Sequence, residues 1–213
     1  MRAWLVLIWA IALIPALADP RVIYTKLFKG SSPEFIRITV EKDGSAVYQE
    51  AEDDPNARQF HLNSGETNQI FEIAGRLGNF TRQVESGLKV ANMGRKTFRY
   101  EDGALGREVS FNYSVDPDAK QLAEWFERIA ATEETYLALD SAIHFDKLGV
   151  DQAILQVRIL WDAHRLVDPE QFFPLLARIA KNESFMHMDR ERAASLADEF
   201  RSGHPATEEK SSK

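Results

Sequence analysis

Met186-His187-Met188 comes nearest to a metal signature in this chain. Two thioethers and an imidazole suit a soft cation such as Cu(I) or Ag(I). On a helix, however, consecutive side chains point about 100° apart and converge on nothing. Methionine also fills irregular gaps in cores, so core packing is the expected role of Met186 and Met188. A second group sets His144 and Asp146 against Trp161, Asp162 and His164. A His–Asp pair meeting across two helices could act as a general base beside a nucleophile. Surface and boundary histidines without such a role are the commoner case.

The remaining polar clusters have simpler readings. Glu50, Glu52, Asp53 and Asp54 are hard oxygen donors before Pro55. They lack the alternating Asp pattern of a calcium loop, and a solvated turn is expected. Asp116-Pro117-Asp118 is helix-start chemistry before it is a metal site. His61 alternates away from Phe60 and Leu62 and should face solvent. In a strand, Arg95 and Arg99 share one face and Lys96 points to the other, and the cluster reads as a solvated strand face. Asn79-Phe80-Thr81, Asn112-Tyr113-Ser114 and Asn182-Glu183-Ser184 match the glycosylation sequon. No G-x-S-x-G elbow, H-E-x-x-H, P-loop or dinucleotide-binding glycine pattern occurs. The sequence thus assigns no catalytic, cofactor-binding or metal-binding residue.

The elements that must position these residues change character once. From Val22 to Val115 the pattern is β. Ile36, Ile38 and Val40 alternate with Arg37 and Thr39, and Asp43-Gly44 leads into Ala46-Val47-Tyr48, a hairpin. Thr97 to Tyr100, the turn Glu101-Asp102-Gly103, and a return strand through Val109, Phe111, Tyr113 and Val115 form a second. Between them Ser64 is the expected N-cap of a helix carrying Ile70, Phe71, Ala74 and Leu77, with Gly78 at C′. Leu88 and Val90, flanking Lys89, place a strand within residues 83–94.

Asp116 and Pro117 then open a helix with the stripe Leu122, Trp125, Phe126 and Ile129, running as one rod or as two broken near Asp140-Ser141. A second helix starts near Asp151 and uses Ile154, Leu155, Val157, Leu160 and Trp161. A third opens at Asp168 with Pro169 at N1, Gln171 closing a capping box and Val167 stapled to Phe172, loosened early by Pro174. The last carries Leu196 and Phe200 and ends at Gly203. The expected class is α+β: an antiparallel sheet of two hairpins with packed helices, followed by a C-terminal helical extension. The expected divisions are a signal peptide at 1–18, a sheet domain at 19–130, a helical extension at 131–203 and a disordered polar tail at 204–213.

Export is read from the first residues. Arg2, the apolar run Ala3 to Ile14, Pro15 and Ala16-Leu17-Ala18 before Asp19 have the order of a cleaved secretory signal peptide. The apolar run is short for a bilayer span, which needs roughly 20 residues, and no later run is longer. Loss of Arg2 takes the basic side chains from 26 to 25 against 33 acidic ones, a net charge of −8. Such a balance repels phosphate backbones and argues against a nucleic-acid partner. There is no cysteine. Thiol catalysis, thiolate metal sites, disulfides and N-terminal cysteine lipidation are therefore excluded.

The β-rich half resembles a group of exported bacterial domains of unknown function. The likeness rests on a first strand at Val22 to Leu27, the hairpin from Ile36 through Asp43-Gly44 to Tyr48, and the capped helix leading to Leu77 and Phe80. Gly94 to Tyr113, followed by Leu122 to Ile129, completes it. Related domains often carry a cysteine near the turn Ser31-Ser32-Pro33, and this chain has none. The resemblance implies export and α+β architecture, assigns no activity, and leaves the C-terminal helices unmatched. The expected product is a soluble extracytoplasmic protein, periplasmic or secreted, that binds a protein or envelope component without catalysis or a cofactor. An extracytoplasmic hydrolase built on His144 or His164 is the second reading, and a Cu/Ag-binding protein the third. An interaction protein should expose an apolar patch on the C-terminal helices or around Trp161.

Overall fold

Alternation in the β half produces one sheet. The computed structural model of the protein describes residues 19–203, so the expected signal segment and polar tail lie outside the described residues. Six antiparallel strands run β1 (Arg21–Leu27), β2 (Phe35–Glu41), β3 (Ser45–Gln49), β4 (Arg58–His61), β5 (Arg95–Asp102) and β6 (Leu105–Phe111). Their spatial order is β4-β3-β2-β1-β5-β6, a meander extended on its far side by the second hairpin. Register places Tyr24 opposite Ile38 and Phe98, and Ile38 opposite Tyr48, so one parity of each strand builds the core. Both expected hairpins are present. At the first turn Gly44 has φ +96°, and a Cβ there would stand 2.6 Å from the Leu62 carbonyl oxygen, which only glycine avoids.

Helices cover the core face of the sheet. α1 (Ser64–Arg76) and the first half of α2 (Pro117–Phe145) pack there, with Ile70, Ile73, Leu77, Leu122, Phe126 and Ile129 buried. Tyr24 stacks on Phe126 with centroids 4.9 Å apart and ring planes 7° from parallel. α2 is a single rod of 29 residues, about 44 Å long at 1.5 Å per residue. Its second half leaves the sheet and joins α3 (Val150–Asp162), α4 (Phe173–Lys181) and α5 (His187–Ser202) around a second core of Leu139, Ile143, Ile154, Val157, Phe172, Leu176, Leu196 and Phe200. The two cores change over along α2 between Ala130 and Leu139. No described helix is long and apolar enough to cross a membrane.

Several local expectations are corrected. Asn63, not Ser64, caps α1, accepting from the Glu66 amide at 3.0 Å while the Glu66 carboxylate accepts from the Asn63 amide, a complete capping box one residue earlier. Residues 83–94 form no strand. Leu88 and Val90 are exposed there, and only Val84 and Gly94 are buried, too little contact to fix an extended ladder. β6 stops at Phe111, and Val115 is exposed because Ser114 and Asp116 already turn the chain into α2. Asp116 caps α2 as expected, accepting from the amides of Asp118 and Ala119.

The largest correction concerns Asp168. It sits at φ 44° in the left-handed region with no side-chain capping hydrogen bond, and Pro169–Phe172 form a 3-10 turn before α4, which has Pro174 in its first turn. Val167 packs in the sheet core and Phe172 in the helical core, so no staple joins them. Lys96 departs from the expected solvated face. It occupies the core parity beside Phe98, is buried, and donates to the carbonyls of Met93 and Asn112, while Arg95 and Arg99 stay exposed.

Candidate interaction surface

One end of the helical layer collects the ends of four helices. α2 stops at Phe145, α3 starts at Val150, α4 stops at Lys181 and α5 starts at His187. The turn between α2 and α3 is held by Asp146, whose carboxylate and carbonyl both accept from the Gly149 amide. It leaves Phe145 and Leu148 88% and 81% exposed. On α3 itself Leu155 and Ile159 stand one helical turn apart. They are 45% and 49% exposed on the outer side of α3. Its inner side buries Val150, Ala153, Ile154 and Val157. α3 therefore carries an apolar stripe on each side, and only one is covered.

Beside the uncovered stripe lies a groove between α3 and α5 of about 330 Å³, lined by Ile154, Leu155, Leu196, Asp151, Arg158, Arg192 and Ser195. Its rim is rigid. Arg158 forms a bidentate pair with Glu199, Nη2 donating at 2.9 Å, and also pairs with Asp162; Arg192 pairs with Asp151. Arg–carboxylate forks of this kind hold geometry well, and they fix α3 against α5.

The sequence candidates fall around this end without forming a catalytic group. His144 does not reach across to the Trp161–Asp162–His164 segment; its Nδ1 contacts the Asp140 carbonyl at 2.8 Å and its Nε2 lies 2.8 Å from Arg178. His164 is exposed at the end of α3 with φ 54°. Trp161 is half-buried against Phe200, with centroids 4.8 Å apart. Met186 and Met188 are exposed rather than packed in the core, because Met186 is the N-cap residue of α5 and the buried side of this helix starts at Asp189. His187 pairs with Glu191 at 3.1 Å. Among the described residues no three His, Asp or Glu side chains are grouped to hold a metal ion. Asp54, from the acidic run, accepts from the amides of Glu50 and Asn56 and closes a turn.

The most perturbed carboxyl was missed by pattern. Glu133 of α2 is fully buried, 2.7 Å from Arg58 Nε of β4. Arg58 lies 3.3 Å over the Tyr136 ring and donates to Gln171 Oε1 at 2.6 Å; Gln171 in turn donates to the Val167 carbonyl. Burial pushes the Glu133 carboxyl up to about 7, although Arg58 and Gln171 draw it down. Asp168, whose amide donates to Glu66, is pushed up to about 6 by burial and then by Glu66 and Glu170. Carboxyls of this kind often mark active sites. Here the Glu133 carboxyl has no surface for a substrate to touch, and the cluster ties β4, α1, α2 and the chain between α3 and α4 together. Its sequence signal was a charge on the apolar side of a helix, four residues after Ile129.

Comparison with protein-family models and with curated proteins finds nothing that matches this chain.

Proposed function

We propose that this protein is an exported, soluble, non-enzymatic interaction module that docks an apolar segment of a partner protein on the outer side of α3. The observation that carries the reading is the uncovered pair Leu155 and Ile159 on α3, with Phe145 and Leu148 exposed at the turn before it and the α3–α5 groove alongside. Large apolar side chains grouped on a rigid element are the anchors of interaction surfaces, and a paired-arginine rim adds orientation rather than bulk affinity. Export rests on the residue order of the first eighteen positions. The two most strongly shifted carboxyls, Glu133 and Asp168, support the non-enzymatic side of the reading, since Glu133 is fully buried and both serve the junction between β4, α1 and α2.

A photo-crosslinking amino acid placed at Leu155, and separately at Gln59 on the exposed edge of the sheet, tests this in the native host. The expected result is a discrete adduct from position 155, none from 59, and loss of the 155 adduct when Ile159→Asp is added with the melting temperature unchanged. Adducts at both positions alike, or a 155 adduct indifferent to Ile159→Asp, would refute the surface.

A further inference from the structure

A cleft of about 260 Å³ opens between the sheet and α2, away from the α3 surface, lined by Tyr24, Lys26, Ile36, Glu127, Ala130, Ala131, Glu134 and Arg165. Its origin is legible in the helix. Glu127, Ala130, Ala131 and Glu134 follow i, i+3, i+4, i+7 spacing, so they share the side of α2 turned to β1 and β2. Two alanines at the centre leave a gap where larger side chains would meet the strands. Two glutamates, one turn to either side, rim the gap with negative charge. Lys26 from β1 and Arg165 from the chain after α3 bring positive charge to the same opening.

Lys26 draws the Glu134 carboxyl down through space, against the burial that raises it, but closes no ion pair with it. Lys26, Glu127 and Arg165 make no side-chain hydrogen bond or ion pair among the described residues. Glu134 is steadied by the Tyr48 hydroxyl at 3.5 Å, and Tyr48 also donates to Glu50. At the floor the Tyr24 hydroxyl is sealed from bulk water and has no partner, although its ring is locked on Phe126. A buried hydroxyl left unmet costs on the order of 1–3 kcal/mol. Charges of both signs held apart around one small opening, over an unsatisfied hydroxyl, form a receptor for a molecule that carries both charges itself.

We infer that this cleft binds a small zwitterion of the α-amino-acid class, its carboxylate toward Lys26 and Arg165 and its ammonium toward Glu127 and Glu134. The volume lies just under the ~300–1,000 Å³ of pockets for drug-sized ligands, which limits the occupant to a single amino acid or its close kin. The site is independent of the α3 surface and stands whether or not that surface docks a partner.

Thermal unfolding of residues 19–213 tests it, with each standard α-amino acid added singly, then with the amide and the N-acetyl derivative of any that shifts the transition. The expected result is a rise of about 5–10 °C at a hundredfold excess over Kd for at least one amino acid. Both derivatives, each stripped of one charge, should lose the shift. Lys26→Met and Glu127→Gln, on different elements and removing side chains without protein partners, should melt like the parent and abolish the shift; Tyr24→Phe should weaken it. No shift with any amino acid, a shift kept by the N-acetyl derivative, or a shift unchanged in both Lys26→Met and Glu127→Gln would overturn the inference.

Discussion

Replacing Glu133 by glutamine should make the protein less sensitive to pH and, at alkaline pH, more stable. The folded carboxyl titrates at about 7 against an ordinary value of 4.5, so the folded state holds its proton more tightly than the unfolded chain. For a raised value the linkage sign is fixed: the contribution is fully present below about pH 4.5 and is lost as pH rises through about 7. The difference is worth about 3 kcal/mol at 1.36 kcal/mol per pH unit. The Arg58 contact at 2.7 Å offsets part of the burial cost and does not cancel it, as is common for ion pairs removed from water. Urea unfolding followed by tryptophan emission suits the test, because Trp125 lies in the sheet core and Trp161 against the helical core. Between pH 5 and pH 8 the parent should lose about 4 kcal/mol, about 2.5 of it from Glu133. Glu133→Gln should keep only a smaller fall through about pH 6 from Asp168, which has the same sign. Equal slopes in parent and variant, or a Glu133→Gln protein weaker than the parent at pH 8, would refute the balance of burial over pairing.

Two further outcomes follow from the fold. Asn63→Ala removes one arm of the α1 capping box and should cost about 1 kcal/mol, read as a lower urea midpoint, whereas Ser64→Ala should change little. Phe172→Ala empties a fully buried site between Tyr136 and Phe200 and should cost about 3–5 kcal/mol in the same assay.

Strict alternation in Ile36 to Val40 and around Phe98, with Asp43-Gly44 and Asp102-Gly103 between, determined both hairpins, because a period of two leaves one choice of buried face. Asp116 and Pro117 determined where α2 starts, and Gly203 where α5 ends, since caps act through neighbours in sequence. The same local logic failed at Asp168. There the chain must cross from the sheet core at Val167 to the helical core at Phe172 within five positions, and that demand overrides a well-formed capping pattern. It also failed at Leu88 and Val90, where alternation was present but both side chains are exposed. The chain past β6 is met there through isolated hydrogen bonds, such as the Ser86 amide to the Tyr113 carbonyl, rather than a ladder.

The sites divide in the same way. Parity alone turned Lys96 from Arg95 and Arg99, yet only the packed sheet made that direction a buried one. Leu155 reads as a core residue of a helix, and its exposure, like that of Ile159, was decided by where α2, α4 and α5 settle around α3. Glu133 finding Arg58, and Lys26 sharing a cleft with Glu127, join residues 75 and 101 positions apart. Covalent neighbours set period, cap and turn. Which charge stands opposite which, and which apolar stripe stays uncovered, depends on long-range packing that no window of neighbouring residues contains.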